Sequence, residues 1–139
     1  MTQTRIALIG HCRADQFALR SALGSMFPKA EFVMVGKSAD VQAEALSADL
    51  CLVNRELDGR FNEADGIELI QGLFSATKPT SAVLLISNYS QAQEQAVKAG
   101  AHPGFGKQDL NNDEMRDSIS SALAARRDGS MRSQEETSS

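Results

Sequence analysis

The sequence predicts a single α/β domain in which a five-stranded parallel sheet is covered by helices on both faces. Two observations lead to this fold class. Short apolar runs recur along the chain without polar alternation, which is typical of strands buried on both faces. Each run is followed by a segment with apolar residues at helical spacing, so strand and helix alternate five times. The length of 139 residues fits one domain with an ordinary core.

The first two units lie near the N-terminus. The apolar run 6–9 is closed by Gly10 and predicts the first strand. The helix after it ends at Pro28, and its apolar face comprises Leu19, Ala22, Leu23 and Met26. The run 32–35 repeats the strand pattern, and the alanine-rich segment 40–46 predicts a short second helix.

The third unit contains an unusually long connection. The run 50–53 predicts a buried strand that stops at Asn54. The next helix has an apolar face made of Ile67, Ile70, Leu73 and Phe74. Strand-to-helix loops in such units commonly have about two to six residues. The segment 54–65 therefore has room for a tolerated surface insertion, which is the favoured interpretation, or for a functional lid.

The fourth unit is the clearest. The run 82–86 predicts a strand that ends at Ser87. Ser90 and Gln93 then have the capping-box spacing of a helix start. Gly100 ends the helix, whose inner stripe is Ala92, Ala96 and Ala99. Because alanine side chains bury little area, this helix is expected to be the least firmly anchored and the most mobile.

The fifth unit has a weak strand signal. The segment 103–107 is expected to be a strand because of its position, and the last helix carries Met115, Ile119, Ala122 and Leu123 on one face. Asn111 and Glu114 have the spacing of a cap for that helix. From residue 126 the chain lacks periodicity, so we expect a domain over 1–125 and a disordered tail over 126–139.

Composition excludes several classes of partner. With 14 basic and 18 acidic residues, the formal charge of −4 offers no broad basic field for nucleic acid or anionic lipid. The longest aliphatic run, 82–86, is far below the ~20 residues that span a bilayer, and the N-terminus lacks a signal-peptide core. Cys12 and Cys51 are expected to be reduced. We expect a cytoplasmic protein that contacts neither membrane nor nucleic acid directly.

Several polar residues follow the predicted strands. In a parallel sheet the carboxyl ends of the strands meet at one edge, where ligands usually bind. That edge gathers Gly10, His11, Asn54, Ser87 and Lys107. Asn54 occupies the place where a reacting group is expected, yet its amide cannot replace a nucleophilic carboxylate. This suggests a site whose chemistry has been removed.

Three segments carry a resemblance to a known family. They are 49–54 (DLCLVN), 65–69 (DGIEL) and 99–107 (AGAHPGFGK). Through them the chain resembles, over residues 5–125, the receiver domain of bacterial two-component response regulators. The segments resemble, in order, the strand leading to the phospho-accepting aspartate, the Asp-Gly helix start and the stretch ending in the family's lysine. The resemblance implies a flavodoxin-like, doubly wound (βα)5 fold with strand order 2-1-3-4-5, and a signalling module rather than an enzyme.

The resemblance also implies a degenerate version of the family's site. In this family, phosphoryl transfer needs an acidic pair that holds Mg²⁺, an acceptor carboxylate, a hydroxyl and a lysine. By register the acidic pair falls on Gly10 and His11 and the acceptor on Asn54, so all three carboxylates are missing. We therefore expect no metal and no cofactor. The matching positions are Ser87 for the hydroxyl, Phe105 for the aromatic residue that changes orientation on activation, and Lys107 for the lysine.

The expected function is that of a pseudo-receiver, which recognises protein partners without being phosphorylated at this site. By resemblance, receivers dimerise or dock through the face of the fourth helix, fifth strand and fifth helix. Here that face runs from Ser90 through Lys98 and Phe105 to Met115 and Ser118. A protein partner or a second copy of the chain is expected there. Any DNA-binding output domain would lie outside these residues.

The long loop offers an alternative acceptor. Counting back eight residues from Gly66 reaches Asp58, whereas counting along the strand reaches Asn54. A phosphorylated switch that uses Asp58 is therefore the alternative function, although its strand would have to continue past residue 54 and bury charges. Glu56 and Asp58 are also candidate counter-ions for Lys107.

The polar residues that follow the first strand are given no further role. His11 beside Cys12 lacks the spaced second pair of a metal site. A nucleotide-binding turn would need more glycines than the one at Gly10. Arg13 and Asp15 are expected to be solvated charges at the start of the first helix.

Overall fold

The sheet has the predicted architecture. A computed structural model describes the backbone of residues 3–138 and the side chains of residues 3–126. The strands are β1 (Arg5–Ile9), β2 (Glu31–Val35), β3 (Leu50–Asn54), β4 (Ala82–Ile86) and β5 (His102–Phe105). All neighbouring strands are parallel and their order is β2-β1-β3-β4-β5, which confirms the predicted fold class and strand order.

Helices cover both faces of the sheet. They are α1 (Arg13–Met26), α2 (Val41–Ser47), α3 (Gly66–Ala76), α4 (Ser90–Ala99) and α5 (Asp113–Ser138). Helices α1 and α5 pack on one face, with Leu50 and Leu52 of β3. Helices α2, α3 and α4 pack on the other, with Cys51 and Val53. The near-continuous apolar strands follow from this arrangement, because successive side chains enter two different cores.

The predicted capping box of α4 is wrong. Ser90 is the first helical residue, and the preceding residue, Tyr89, makes no capping hydrogen bond with its side chain. The Gln93 amide turns towards the sheet instead and donates to the carbonyl oxygen of Leu85 at 2.8 Å. Gln93 is half-buried and lies three residues before the buried Ala96, so the two share the face of α4 that meets the strands. The predicted end of α4 is correct, because the helix stops at Ala99 and is followed by Gly100 with a φ of 126°.

The cap of α5 also differs from the prediction. The Asn112 side chain accepts a hydrogen bond from the backbone N–H of Met115 at 3.1 Å, which is the usual N-cap contact. Asn111, the predicted cap, instead adopts a left-handed conformation with a φ of 70°. Asparagine tolerates both roles, so spacing alone did not distinguish the two neighbours.

Helix α5 continues past the predicted domain boundary. Its backbone is helical to Ser138, where the sequence predicts disorder from residue 126. Arg126 still anchors α5, because it donates to the carbonyl oxygen of Asp49 at 3.0 Å. The division between domain and tail stays a prediction.

No helix in the described part of the chain is long and apolar enough to cross a membrane.

The long loop after β3 is fastened to the strand ends. The backbone N–H of Asp58 donates to the carbonyl oxygen of Gly10 at 2.9 Å, and that of Arg60 donates to Gly36 at 2.7 Å. Asp65 then caps α3 by accepting from the N–H of Glu68 at 2.9 Å. The segment therefore lies across the ends of β1 and β2 and covers the edge where the candidate site is formed.

Candidate functional site

Asn54 is a buried hydrogen-bond donor at the end of β3. Only 6% of its surface is exposed. Its Nδ2 group donates to the carbonyl oxygen of Gly10 at 3.0 Å and to that of Glu56 at 2.7 Å. A carboxylate has no proton to donate, so an ionised aspartate could make neither bond. The amide thus joins the end of β1 to the loop after β3.

Gly10 has a backbone conformation that disfavours a side chain, and a residue of the long loop covers it. Its φ of 75° lies in the left-handed region that favours glycine. A Cβ atom placed there would lie 2.6 Å from Cδ2 of Leu57, a half-buried residue of the long loop that packs against the core. An apolar side chain therefore covers the position where the family resemblance places the first acidic residue.

His11 is buried and neutral. It is 4% exposed, and its Nε2 lies 2.8 Å from the carbonyl oxygen of Leu52, so this nitrogen carries the proton and donates. Its Nδ1 is buried without a hydrogen-bond partner. Burial lowers the pKa of His11 to about 4, and the positive charge of Lys107 acts in the same direction. The imidazole therefore carries no charge at neutral pH.

This burial predicts a loss of stability in mild acid. The unfolded chain binds a proton at His11 near pH 6.5, but the folded chain does so only near pH 4. The free energy of unfolding should therefore fall as the pH decreases through this window, by up to about 1.4 kcal/mol per pH unit. Urea titrations of wild type and His11→Gln, which keeps a donor for Leu52, should show a flatter pH dependence in the variant.

The second histidine, His102, provides the matched control. Burial lowers its pKa as well, but its side chain is only half-buried. His102→Gln should change the pH dependence less than His11→Gln does. An identical pH profile for wild type and His11→Gln would show that His11 is not held neutral by the fold.

Lys107 has a different partner from the two that the sequence suggested. Its Nζ lies 2.5 Å from Oδ2 of Asp15, and this hydrogen bond lowers the pKa of the Asp15 carboxyl group. Glu56 has 91% of its side chain exposed, and neither Glu56 nor Asp58 makes an ion pair with Lys107. The predicted counter-ions are therefore wrong. The expectation that Asp15 is a solvated charge is also wrong, because nothing in its local sequence marks this long-range contact.

A small cavity brings three of the predicted site residues together. Its volume is about 110 Å³, and Asn54, Ser87 and Lys107 contribute to its wall. Phe105 does not line it. With 3% exposure, Phe105 belongs to the core on the α1 and α5 face, so reorienting it would open that core. The structure thus separates Phe105 from the other residues that the resemblance grouped with it.

The edge does not suit Mg²⁺. Hard cations prefer carboxylate and carbonyl oxygens, whereas Gly10 lacks a side chain and the Nε2 atom of His11 is engaged with a carbonyl. Asn54 presents its nitrogen to two carbonyl oxygens. Within the described residues, no group of three or more histidine, cysteine or acidic side chains has a metal-binding arrangement.

Asp58, the alternative acceptor, lies beyond the end of β3. The strand stops at Asn54, and the Asp58 side chain is exposed rather than carried into the sheet by a longer strand. Its backbone N–H contacts the carbonyl oxygen of Gly10, which keeps the residue near the strand ends. Its carboxylate therefore lies at the same edge without lining the cavity.

Comparison with solved structures identifies the fold. A CheY-like receiver domain protein from Methanospirillum hungatei JF-1 has a TM-score of 0.68 and 17% identity, covering 92% of this chain and 99% of that one. The receiver domain of NtrX from Brucella abortus has a TM-score of 0.65 and 17% identity, covering 86% and 98%. No family model and no curated protein matches the sequence.

The likeness extends to a part of a larger protein. A structure of NtrX from Brucella abortus has a TM-score of 0.74 and 17% identity, and covers 96% of this chain but only 29% of that chain. The chain thus spans less than a third of that protein. At this identity the comparisons show the fold of response regulator receiver domains, and the activity must be argued from the site.

Proposed function

We propose that this chain is a receiver-like signalling module that binds a protein partner without being phosphorylated at its acceptor position. The observation that carries the proposal is the Asn54 amide, which donates to two backbone carbonyls from a buried position. A group that holds the strand ends together in this way has a structural role, and phosphorylation chemistry there would require a carboxylate.

The surroundings of Asn54 support the same conclusion. Phosphoryl transfer depends on metal ions and cationic groups that stabilise the charge of the transferring group. Here Leu57 covers Gly10, and Lys107 is paired with Asp15. The receiver fold remains, whereas the groups that would bind and transfer a phosphoryl group are absent or engaged elsewhere.

The proposed partner surface is the face of α4, β5 and α5. The sequence placed Phe105 and Met115 on this face. Both side chains are buried in the core, so they are not part of the exposed surface. We define the α4–β5–α5 face by its exposed residues Glu94, Val97, Lys98, Pro103, Arg116 and Asp117. Its mixture of an exposed valine with charges of both signs suits a protein partner or a second copy better than a nucleic acid.

Charge reversal tests this surface. Lys98→Glu combined with Arg116→Glu should abolish capture of a partner that the wild type retains in a pull-down, because both side chains are exposed on the face. Adding acetyl phosphate and Mg²⁺ should leave capture by the wild type unchanged. Lys29→Glu, an exposed change beyond the end of α1, provides the control. Capture that persists in the double variant, or that requires acetyl phosphate, would contradict the proposal.

The alternative function is a phosphorylated switch that uses Asp58. It is favoured by one observation, the contact of the Asp58 backbone with Gly10, which holds an exposed carboxylate near the strand ends. Among the residues that the structure describes, no group of three or more acidic, histidine or cysteine side chains could hold a metal ion, which weighs against it.

A further inference from the structure

The pairing of β4 with β5 contains an irregularity. Leu84 is the partner of His102, but Ile86 is the partner of Phe105, so two steps along β4 correspond to three along β5. An extra residue of this kind interrupts the ladder of backbone hydrogen bonds. The interruption falls beside Leu85 on β4. Because β5 is the edge strand, it has no second neighbour to compensate.

The Gln93 side chain spans this gap. Its Nε2 donates to the carbonyl oxygen of Leu85 at 2.8 Å and to that of Ser87 at 3.2 Å. Its Oε1 accepts from the backbone N–H of Gly104 at 2.9 Å. A carboxamide offers a donor and an acceptor, as a peptide group does, so it can replace the missing link between the strands.

Gly104 makes the arrangement sterically feasible. A Cβ atom at this residue would lie 2.1 Å from the carbonyl oxygen of Leu85 and 3.0 Å from Oε1 of Gln93. Gly104 also accepts a hydrogen bond from Oγ of Ser118 in α5, at 3.4 Å. One residue of β5 is thus connected to α4 through its N–H group and to α5 through its carbonyl group.

We propose that Gln93 is the positioning residue that couples α4 to β5, so that the elements of the α4–β5–α5 face move as one body. The functional meaning of this coupling rests on the proposed function. Displacing α4 would break three hydrogen bonds and remove the link that Gln93 supplies across the bulge between β4 and β5. The alanine side chains on the inner face of α4 bury little area, but the polar side chain of Gln93 holds the helix to β4 and β5.

Amide hydrogen exchange tests the coupling in the free protein. In Gln93→Met, which keeps an unbranched side chain without the amide, exchange at the Gly104 N–H should accelerate about tenfold because its acceptor is lost. Relaxation dispersion should then appear across α4 and β5, while amides of β1 and β3 remain as in the wild type. Gln95→Met, an exposed change on the same helix, should alter neither measurement. Gln93→Ala should act in the same direction as Gln93→Met.

One result would overturn the proposal. If Gly104 exchanged no faster in Gln93→Met than in Gln95→Met, and α4 and β5 showed no new millisecond motion, Gln93 would not couple them. The experiment needs neither partner nor phosphoryl donor. A negative result for Gln93 would therefore leave the proposed function standing. Conversely, if the chain proved to be phosphorylated, the exchange result for Gln93 would still be valid.

Discussion

Replacing Asn54 with aspartate should lower the free energy of unfolding by about 2–4 kcal/mol at neutral pH, although it restores the acid that phosphoryl transfer needs. The carbonyl oxygens of Gly10 and Glu56 would lose their buried donor and would face a negative charge instead. Urea unfolding of Asn54→Asp and wild type measures the difference. The loss should shrink in acid, because a protonated carboxyl group can donate one hydrogen bond.

Asn62→Asp makes the same chemical change at an exposed position of the long loop. Its side chain has no buried acceptors to satisfy, so its effect should stay within about 0.5 kcal/mol. Equal losses in Asn62→Asp and Asn54→Asp would show that added charge, rather than loss of the donor, is responsible. An Asn54→Asp protein as stable as wild type would refute the structural role of the amide.

Two glycines of α3 should respond in opposite directions to alanine. Gly66 begins the helix against the end of β3, where a Cβ atom would lie 2.2 Å from the carbonyl oxygen of Asn54. Backbone cannot yield as a flexible side chain does, so Gly66→Ala should cost about 1–3 kcal/mol. Gly72 lies in the same helix with no atom within 4 Å of such a Cβ. Gly72→Ala should stabilise by about 0.5–1 kcal/mol through helix propensity.

Thermal or urea unfolding of the two variants measures both effects, with each serving as the other's control. The sign difference separates a specific contact at the strand end from a general response of α3 to alanine. A stabilising Gly66→Ala would mean that α3 can move away from β3. The packing that fixes the loop around Asn54 would then be looser than the structure indicates.

The parts of the fold that the sequence predicted are those governed by apolar periodicity. Strands such as 50–54 and 82–86 are buried on both faces, so every residue in them is selected for burial and the pattern is unmistakable. The edge where Asn54, Ser87 and Lys107 meet follows from the same logic, since parallel strands end together.

The contacts that sequence reasoning missed join polar residues far apart in the chain. Lys107 and Asp15 are separated by 92 positions, and no local spacing signals their contact. Gln93 was assigned to a cap because spacing reports only local partners, whereas its acceptors are Leu85 on β4 and Ser87 directly after that strand. Phe105 was grouped with the site because it lies two positions before Lys107, but its side chain is buried in the core on the α1 and α5 face, whereas Lys107 follows the end of β5.

Phosphorylation-independent function is tested most directly by the intact mass of the protein after incubation with acetyl phosphate and Mg²⁺. The measurement compares wild type with Asp58→Asn. Because the buried amide replaces the acceptor and Leu57 covers Gly10, both proteins should keep the mass of the unmodified chain. A stable gain of one phosphoryl group on an aspartate of the wild type would contradict phosphorylation-independent function. Its disappearance in Asp58→Asn would assign the switch to that residue.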